Sequence, residues 1–356
     1  MEILLNPGPV NLSDRVRRAL LQPDLCHREI EFSRLQDGIR GKLLEVYGLD
    51  PDAWAAVLLT GSGSAALEAM VCSMVPAAAR ILILENGVYG ERLRRIAGIH
   101  NISYQALHHT WTEAIDMVAL QRALAADISR VVVVQHETTT GRLNDIAKVA
   151  DICRDRGVPL LLDGVSSFGA EQIQFEDWNI AACAATANKC LHGIPGISFV
   201  ILKRALLPSN HARRSLYLDL NTYLELQDGG GTPFTQSVQG FYALDEALSE
   251  HHDAGGWQAR RGAYQERMAR VAAGLRQLGI RALLPDGSSS CVLNAFHLPD
   301  GMDYQTLHDR LKQRGFIIYA GQGDFARSIF RISLMGAITR KDIDRLLDAC
   351  TTILSE

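Results

Sequence analysis

Lys189 is the residue on which covalent chemistry would turn. It follows the mostly apolar run IAACAATA and precedes a Gly/Pro-rich stretch, within Thr186-Ala187-Asn188-Lys189-Cys190-Leu191-His192-Gly193-Ile194-Pro195-Gly196. Most lysines are solvated surface charges, but this flank predicts partial burial. Burial disfavours the ammonium form and leaves the neutral amine that attacks a carbonyl near neutral pH.

Two further groups fall in a compatible order upstream. The run AAVLLT leads into Gly61-Ser62-Gly63-Ser64 and then directly into a helical pattern. Backbone N–H groups and two hydroxyls at a helix start make a phosphate cup, although a Gly/Ser turn can also do nothing but turn. The cup has neither the GxGxxG spacing of a dinucleotide fold nor the GK[ST] ending of a P-loop. Asp163 closes the run VPLLLD, which puts a carboxylate at the C-terminal end of a parallel strand, where doubly wound sheets bind ligands. Alternatively it caps the turn Asp163-Gly164-Val165-Ser166-Ser167. A cup, an acid to keep a pyridine nitrogen protonated and a lysine to bind an aldehyde are the three attachments that pyridoxal phosphate requires.

Short β-branched runs that alternate with helical patterns would position these groups. AAVLLT before Gly61, RILIL from Arg80, RVVVVQ from Arg130 and VPLLLD from Val158 are almost wholly apolar, as strands covered on both faces should be. Helices are predicted over 64–75, 90–97 and 145–156, where apolar residues recur at helical spacing. The result is an α/β architecture with a mostly parallel sheet. The opening NPGPVNLSDRVRRALL reads as a loop and then a helix started by Asn11 or Ser13, an N-terminal arm over 1–20 rather than a strand of the sheet. A large domain is expected over 21–254. A smaller α+β domain is expected over 255–356, with strands at CVLNAFHL (291–298), FIIYA and IFRISL and a last helix from Arg340.

Composition narrows the function classes. A chain of 356 residues, 47% hydrophobic and 21% charged, can build one large and one smaller core. A net charge of -4 without a block of like charges argues against nucleic acid as a partner. Seven scattered cysteines without a CxxC pair fit a reducing cytoplasm. MEILLNPGPV lacks the basic start and apolar run of a signal peptide, and no stretch is apolar enough for a membrane span, so a cytoplasmic protein is expected. His136, Glu137 and His192 fit no zinc spacing and are read as structural.

Together LLNPGPVNLSDRV, LLTGSGSAALEAM, NGVYGERL, QHETTTGRLND, LLDGVSSFGA, ATANKCLHGIPGISFVI, RRSLYLDL and IFRISLMG make a specific combination. Through them the chain resembles, over nearly its whole length, the class V branch of pyridoxal-phosphate aminotransferases. The resemblance implies a fold-type I transferase, a mostly parallel doubly wound sheet with a smaller α+β C-terminal domain. It implies Ser62, Gly63 and Ser64 around the cofactor phosphate, Asp163 on the pyridinium nitrogen, Lys189 as the Schiff-base lysine and Thr138 on the phenolic oxygen. Tyr89 corresponds to the aromatic stacked on the pyridine ring. Val165 and Asn188 fall among the cofactor neighbours, and Gly8 and Arg331 on the substrate side. Alone, Arg331 is a strand arginine; in this family its position binds the substrate carboxylate, for which a guanidinium fork is suited. Thr235 matches a hydroxyl contributed from a partner subunit, which implies a homodimer.

The implied reaction passes an amino group from a small-molecule donor to a keto-acid acceptor, with 2-aminoethylphosphonate and pyruvate as the pair implied most closely. The segment Cys26-His27-Arg28-Glu29-Ile30-Glu31-Phe32 resembles instead the alanine-glyoxylate and serine-pyruvate branch. Carboxylate donors therefore stay open, as does elimination on a related aminophosphonate. Arg28, Arg142, Arg213 and Arg214 are further candidates for holding the donor's anionic group. Cysteine desulfurases share the fold but resemble sequences with histidine before the lysine and a mobile cysteine loop; here Asn188 precedes Lys189 and Cys291 is read inside a strand. A cofactor-free binding module on the same scaffold is the remaining reading, against which the intact cup, Asp163 and Lys189 count.

Overall fold

The computed structural model describes residues 2–209 and 212–355. Seven strands form the main sheet: β1 (Trp54–Thr60), β2 (Arg80–Glu85), β3 (Ser103–His108), β4 (Ile128–Val134), β5 (Leu160–Asp163), β6 (Ile180–Thr186) and β7 (Ile197–Lys203), in the order β1-β7-β6-β5-β4-β2-β3. β7 runs antiparallel to both β1 and β6, and every other neighbouring pair is parallel. The helices are α1 (Asp14–Ala19), α2 (Ile30–Glu45), α3 (Gly63–Met74), α4 (Val88–Ile99), α5 (Met117–Ala123) and α6 (Ile146–Arg154), then α7 (Leu220–Asp228), α8 (Val238–Asp253), α9 (Gly256–Gln277), α10 (Tyr304–Gln313) and α11 (Arg340–Ser355).

Alternation along the strands sorts their side chains onto two faces. Val57, Leu59, Ile81 and Ile83 pack against Leu67, Met70 and Val71 of α3 and Leu93 of α4. Their neighbours Ala56, Leu58, Leu82 and Leu84 face Phe32 and Ile39 of α2, Val149 of α6 and Phe241 and Leu244 of α8. With both faces covered the strands carry near-continuous apolar runs, which is why the sequence shows them clearly. β3 is the exception. It lies at an edge with Ser103 and Tyr104 exposed, its pattern SYQALH is mixed, and sequence periodicity does not single it out.

A third core gathers Tyr264, Met268 and Val271 of α9, Leu307 and Leu311 of α10 and Ile343 and Leu346 of α11 on a smaller sheet of β8 (Leu293–His297), β9 (Tyr319–Ala320) and β10 (Ile329–Ser333). Ile3, Leu5 and Val10 belong to this core as well. The N-terminal segment is thus not wholly an arm, because Ile3 and Leu4 pair in parallel with Phe316 and Ile317. Of the two possible helix starts it is Ser13 that caps α1, its hydroxyl accepting from Val16 N at 3.2 Å. Cys291 does not lie in a strand: β8 begins at Leu293. The reason is local, since the Cys291 N–H donates to Glu171 Oε1 (3.3 Å) and that of Val292 to Ser290 Oγ (3.0 Å), which takes both out of a ladder.

Candidate active site

The site is built at the C-terminal ends of the parallel strands. β1 runs into the cup, where Ser62 is the N-cap of α3 and its hydroxyl makes no capping bond. Gly63 is required by closeness: a Cβ there would stand 2.9 Å from Val165 Cγ1, so only glycine lets the cup approach the loop after β5. At the end of β5, Asp163 Oδ1 accepts from Val165 N at 2.9 Å while Oδ2 is buried with no partner. Burial raises the Asp163 pKa to about 6.

Lys189 lies in the loop that joins β6 to β7. Asn188 pins that loop, its Oδ1 accepting from Thr186 Oγ1 at 2.9 Å. Gly8 lies against the lysine, since a Cβ there would stand 2.9 Å from Lys189 Cδ and 3.0 Å from Asn188 O. Burial lowers the lysine pKa to about 8; Arg331 and Arg92 push it the same way, and Cys190 and Asp163 oppose them. The chain has six lysines, and Lys42, Lys148 and Lys203 are engaged in ion pairs. Lys189 has no ion-pair partner among the described residues.

Thr138 is fully buried and its hydroxyl has no partner, while its carbonyl accepts from Arg331 Nη1 at 2.8 Å. Arg331, in β10, also donates through Nε to Ala320 O at 2.9 Å and through Nη1 to Gln322 Oε1 at 3.2 Å. Arg331 is 2% exposed, and its guanidinium meets no carboxylate among the described residues. A buried charge without a counter-ion is costly, and an anionic substrate group would offset that cost.

Glu137 and His192 have structural places. The Glu137 carboxylate accepts from the N–H groups of Tyr89 (3.2 Å) and Gly90 (3.3 Å) and from Thr139 Oγ1 (2.6 Å), which fixes the start of α4. Burial raises its pKa to about 7. His192 accepts from Gly336 N at 2.8 Å and bonds Tyr264 Oη. His136 Nδ1 bonds Ser166 O at 2.9 Å, and its buried Nε2 has no partner.

The other arginine candidates scatter. Arg214 satisfies carbonyls at the end of α3, those of Cys72 (2.7 Å) and Val75 (2.8 Å). Arg142 is buried and bonds Thr112 O, whereas Arg28 and Arg213 are exposed. Thr235 is exposed on the loop before α8. Arg92, on α4 three residues beyond Tyr89, joins the cup although no motif marks it. Its Nη1 donates to Ser64 Oγ at 3.0 Å, and its guanidinium carbon lies 4.7 Å from the centre of the Tyr89 ring. The usable signal was the i,i+3 spacing of Tyr89 and Arg92 in NGVYGERL.

A cavity of about 910 Å³ lined by Tyr47, Phe175 and Trp257 contains none of these groups. The chemistry follows the side chains. Asp163 Oδ2, Thr138 Oγ1, Lys189 Nζ and the cup at Ser62–Ser64 could hold, in turn, a pyridine nitrogen, a phenolic oxygen, an aldehyde and a phosphate. The orphaned buried oxygens of Asp163 and Thr138 are what such a ligand would satisfy.

Fold and site define a pyridoxal-phosphate-dependent aminotransferase. The family model of class-V aminotransferases matches residues 24–346, and the chain belongs to that family. It is 36% identical over 358 residues to a Vibrio vulnificus (strain CMCP6) protein named 2-aminoethylphosphonate–pyruvate transaminase, covering 98% of this chain and 96% of that one. A Bacillus cereus (strain G9842) protein of the same name is 32% identical, with 98% and 96% covered. Among solved structures, an aspartate aminotransferase from Thermus thermophilus superposes with a TM-score of 0.91 at 27% identity, covering 99% of each chain. An alanine–glyoxylate aminotransferase from Nostoc sp. does so with 0.93 at 25% identity, covering 99% of this chain and 95% of that one. Among the described residues no helix is long and apolar enough to cross a membrane.

Proposed function

We propose that this enzyme moves the amino group of 2-aminoethylphosphonate to pyruvate, giving phosphonoacetaldehyde and alanine. The observation that carries the reading is the 36% identity, along 98% of the chain, to relatives of that name. Arg331 supports it as a buried cation without a counter-ion, suited to the phosphonate of the donor and the carboxylate of the acceptor in turn.

When bound, pyridoxal phosphate supplies an electron sink for the carbanion formed at the donor's amine-bearing carbon. The chain's own groups do the rest. Lys189 Nζ would hold the aldehyde of the cofactor and, as a free amine, would serve as the base that takes the proton from the donor carbon onto Nζ. Burial lowers its pKa to about 8, so about a tenth of the freed amine is neutral at pH 7, far more than for an ordinary lysine. Asp163 Oδ2 holds the proton on the pyridine nitrogen, and that positive neighbour would in turn bring the Asp163 pKa down. Thr138 would take the phenolic oxygen and Tyr89 and Val165 the faces of the ring, while Asn188 and Gly8 pack against the lysine loop. Ser62, Gly63 and Ser64 anchor the phosphate.

Single-turnover mixing tests the donor. The cofactor-loaded enzyme, mixed separately with 2-aminoethylphosphonate, alanine and serine and no acceptor, is expected to lose its visible band fastest with the phosphonate. Loss only with alanine or serine would move the enzyme to the alanine-glyoxylate or serine-pyruvate type. Sustained turnover of the phosphonate without any keto acid would mean elimination.

Thr235, exposed on its own chain, is proposed to reach the phosphate of the partner subunit in a homodimer. One large domain over 21–254 and a smaller one over 255–356 complete this reading, and free thiols at all seven cysteines agree with a reducing cytoplasm. Co-expression tests the shared site. Lys189→Ala and Thr235→Arg chains are each expected to be inactive, while their mixed dimer regains one intact site and measurable activity. Activity no greater than the sum of the two parents would show that Thr235 serves its own subunit or none.

A further inference from the structure

Arg92 is a half-buried cation with no ion-pair partner among the described residues. The neighbouring carboxylates are engaged elsewhere: Glu91 accepts from Trp111 Nε1 at 2.8 Å, Glu85 pairs with Arg94 at 2.9 Å and Glu68 pairs with His100 at 2.6 Å. Its guanidinium donates to Ser64 Oγ at 3.0 Å and is held over the Tyr89 ring at 4.7 Å. The start of α4, which carries both residues, is fixed by the buried Glu137. The guanidinium therefore stands beside the N-terminus of α3, in a place set by the fold. Its charge is felt as far as Lys189 and Asp163, whose pKa values it lowers.

The charge balance at the cup is incomplete without it. A phosphate monoester brings about 1.5 to 2 negative charges, whereas a helix N-terminus supplies the equivalent of only about half a positive charge. Ser62, Gly63 and Ser64 add neutral donors. We propose that Arg92 is the cationic ligand of the cup, pairing with the phosphate of the cofactor and linking it through Ser64 and Tyr89 to the ring. The inference rests on the cofactor reading above. It adds a residue to the site and gives the site a preference for the phosphorylated form of its ligand, because a charge-assisted bond to phosphate is the stronger kind.

Binding of pyridoxal phosphate and of unphosphorylated pyridoxal to the cofactor-free chain separates this role from a structural one. Both aldehydes react with the same lysine, so pyridoxal serves as the internal control for folding. Arg92→Gln is expected to weaken pyridoxal phosphate by roughly ten- to a hundredfold, the range for a lost charged hydrogen bond, and to leave pyridoxal within about twofold. Arg92→Lys is expected to recover part of the preference. In the wild-type chain, inorganic phosphate should compete with pyridoxal phosphate, and Arg92→Lys should keep some of that competition. An unchanged ratio of the two affinities in Arg92→Gln, or an equal loss of both with Arg92→Lys indistinguishable from wild type, overturns the assignment. A wild-type chain that binds neither aldehyde at Lys189 overturns the cofactor reading and this inference together; normal binding with an unchanged ratio overturns this inference alone.

Discussion

Lys189→Ala is expected to slow amino transfer by at least about ten thousandfold, the upper range for loss of a positioned acid–base group, with the loss of the covalent anchor added to it. The visible band of the bound cofactor should be lost as well. The variant should still fold. Lys189 bears a half-buried amine without an ion-pair partner among the described residues, so its removal also removes a desolvated group. The space left lies beside Gly8. Rates in single turnover and the melting temperature of the cofactor-free protein, measured together, check the prediction. A variant that melts like wild type and transfers amino groups at more than about a hundredth of the wild-type rate would remove Lys189 from the chemistry.

The second large effect belongs to Asp163. Asparagine keeps an oxygen for the Val165 N–H, now at 2.9 Å, but cannot carry the charge proposed to hold a proton on the pyridine nitrogen. Preorganised charge of this kind contributes about two to three orders of magnitude to a rate. Asp163→Asn is therefore expected to lower kcat by roughly a hundred- to a thousandfold, with little change in the circular dichroism spectrum. Lys189 remains in place, so the variant should still bind the cofactor. A decrease of less than about threefold would mean that the orphaned Oδ2 meets something other than the pyridine nitrogen.

These two residues were legible in the sequence because each stands next to a strand that could be read. IAACAATA and VPLLLD are apolar on both faces, since the sheet is covered on both sides, and the candidate residue follows or ends the run. The cup was legible for a related reason, as a Gly/Ser turn between a buried strand and a helix. Reversal of β7 was not legible. Its residues are as apolar as those of any parallel strand, and direction depends on pairing across the chain rather than on composition. β3 was missed because an exposed edge strand does not need an apolar run.

Among the arginines, type alone did not discriminate. Arg214 had the right chemistry for an anion, but the fold spends it on the carbonyls that end α3. Arg92, 28 positions from Ser64, became visible only when packing of α3 and α4 on one face of the sheet brought the two together. Arg331 was legible only through the family resemblance. Its burial and its bond to the Thr138 carbonyl are consequences of how the smaller sheet meets the loop after β4.

Whether the cofactor is carried on Lys189, as proposed, is decided by borohydride reduction followed by peptide mass mapping. Reduction fixes an aldehyde to the lysine that holds it, and six lysines are available in the chain. The pyridoxyl phosphate mass is expected on the peptide containing Lys189 at close to one per chain, and prior addition of 2-aminoethylphosphonate is expected to abolish it. The label on another lysine, or on none in a protein that retains its visible band, would exclude Lys189 as the anchor.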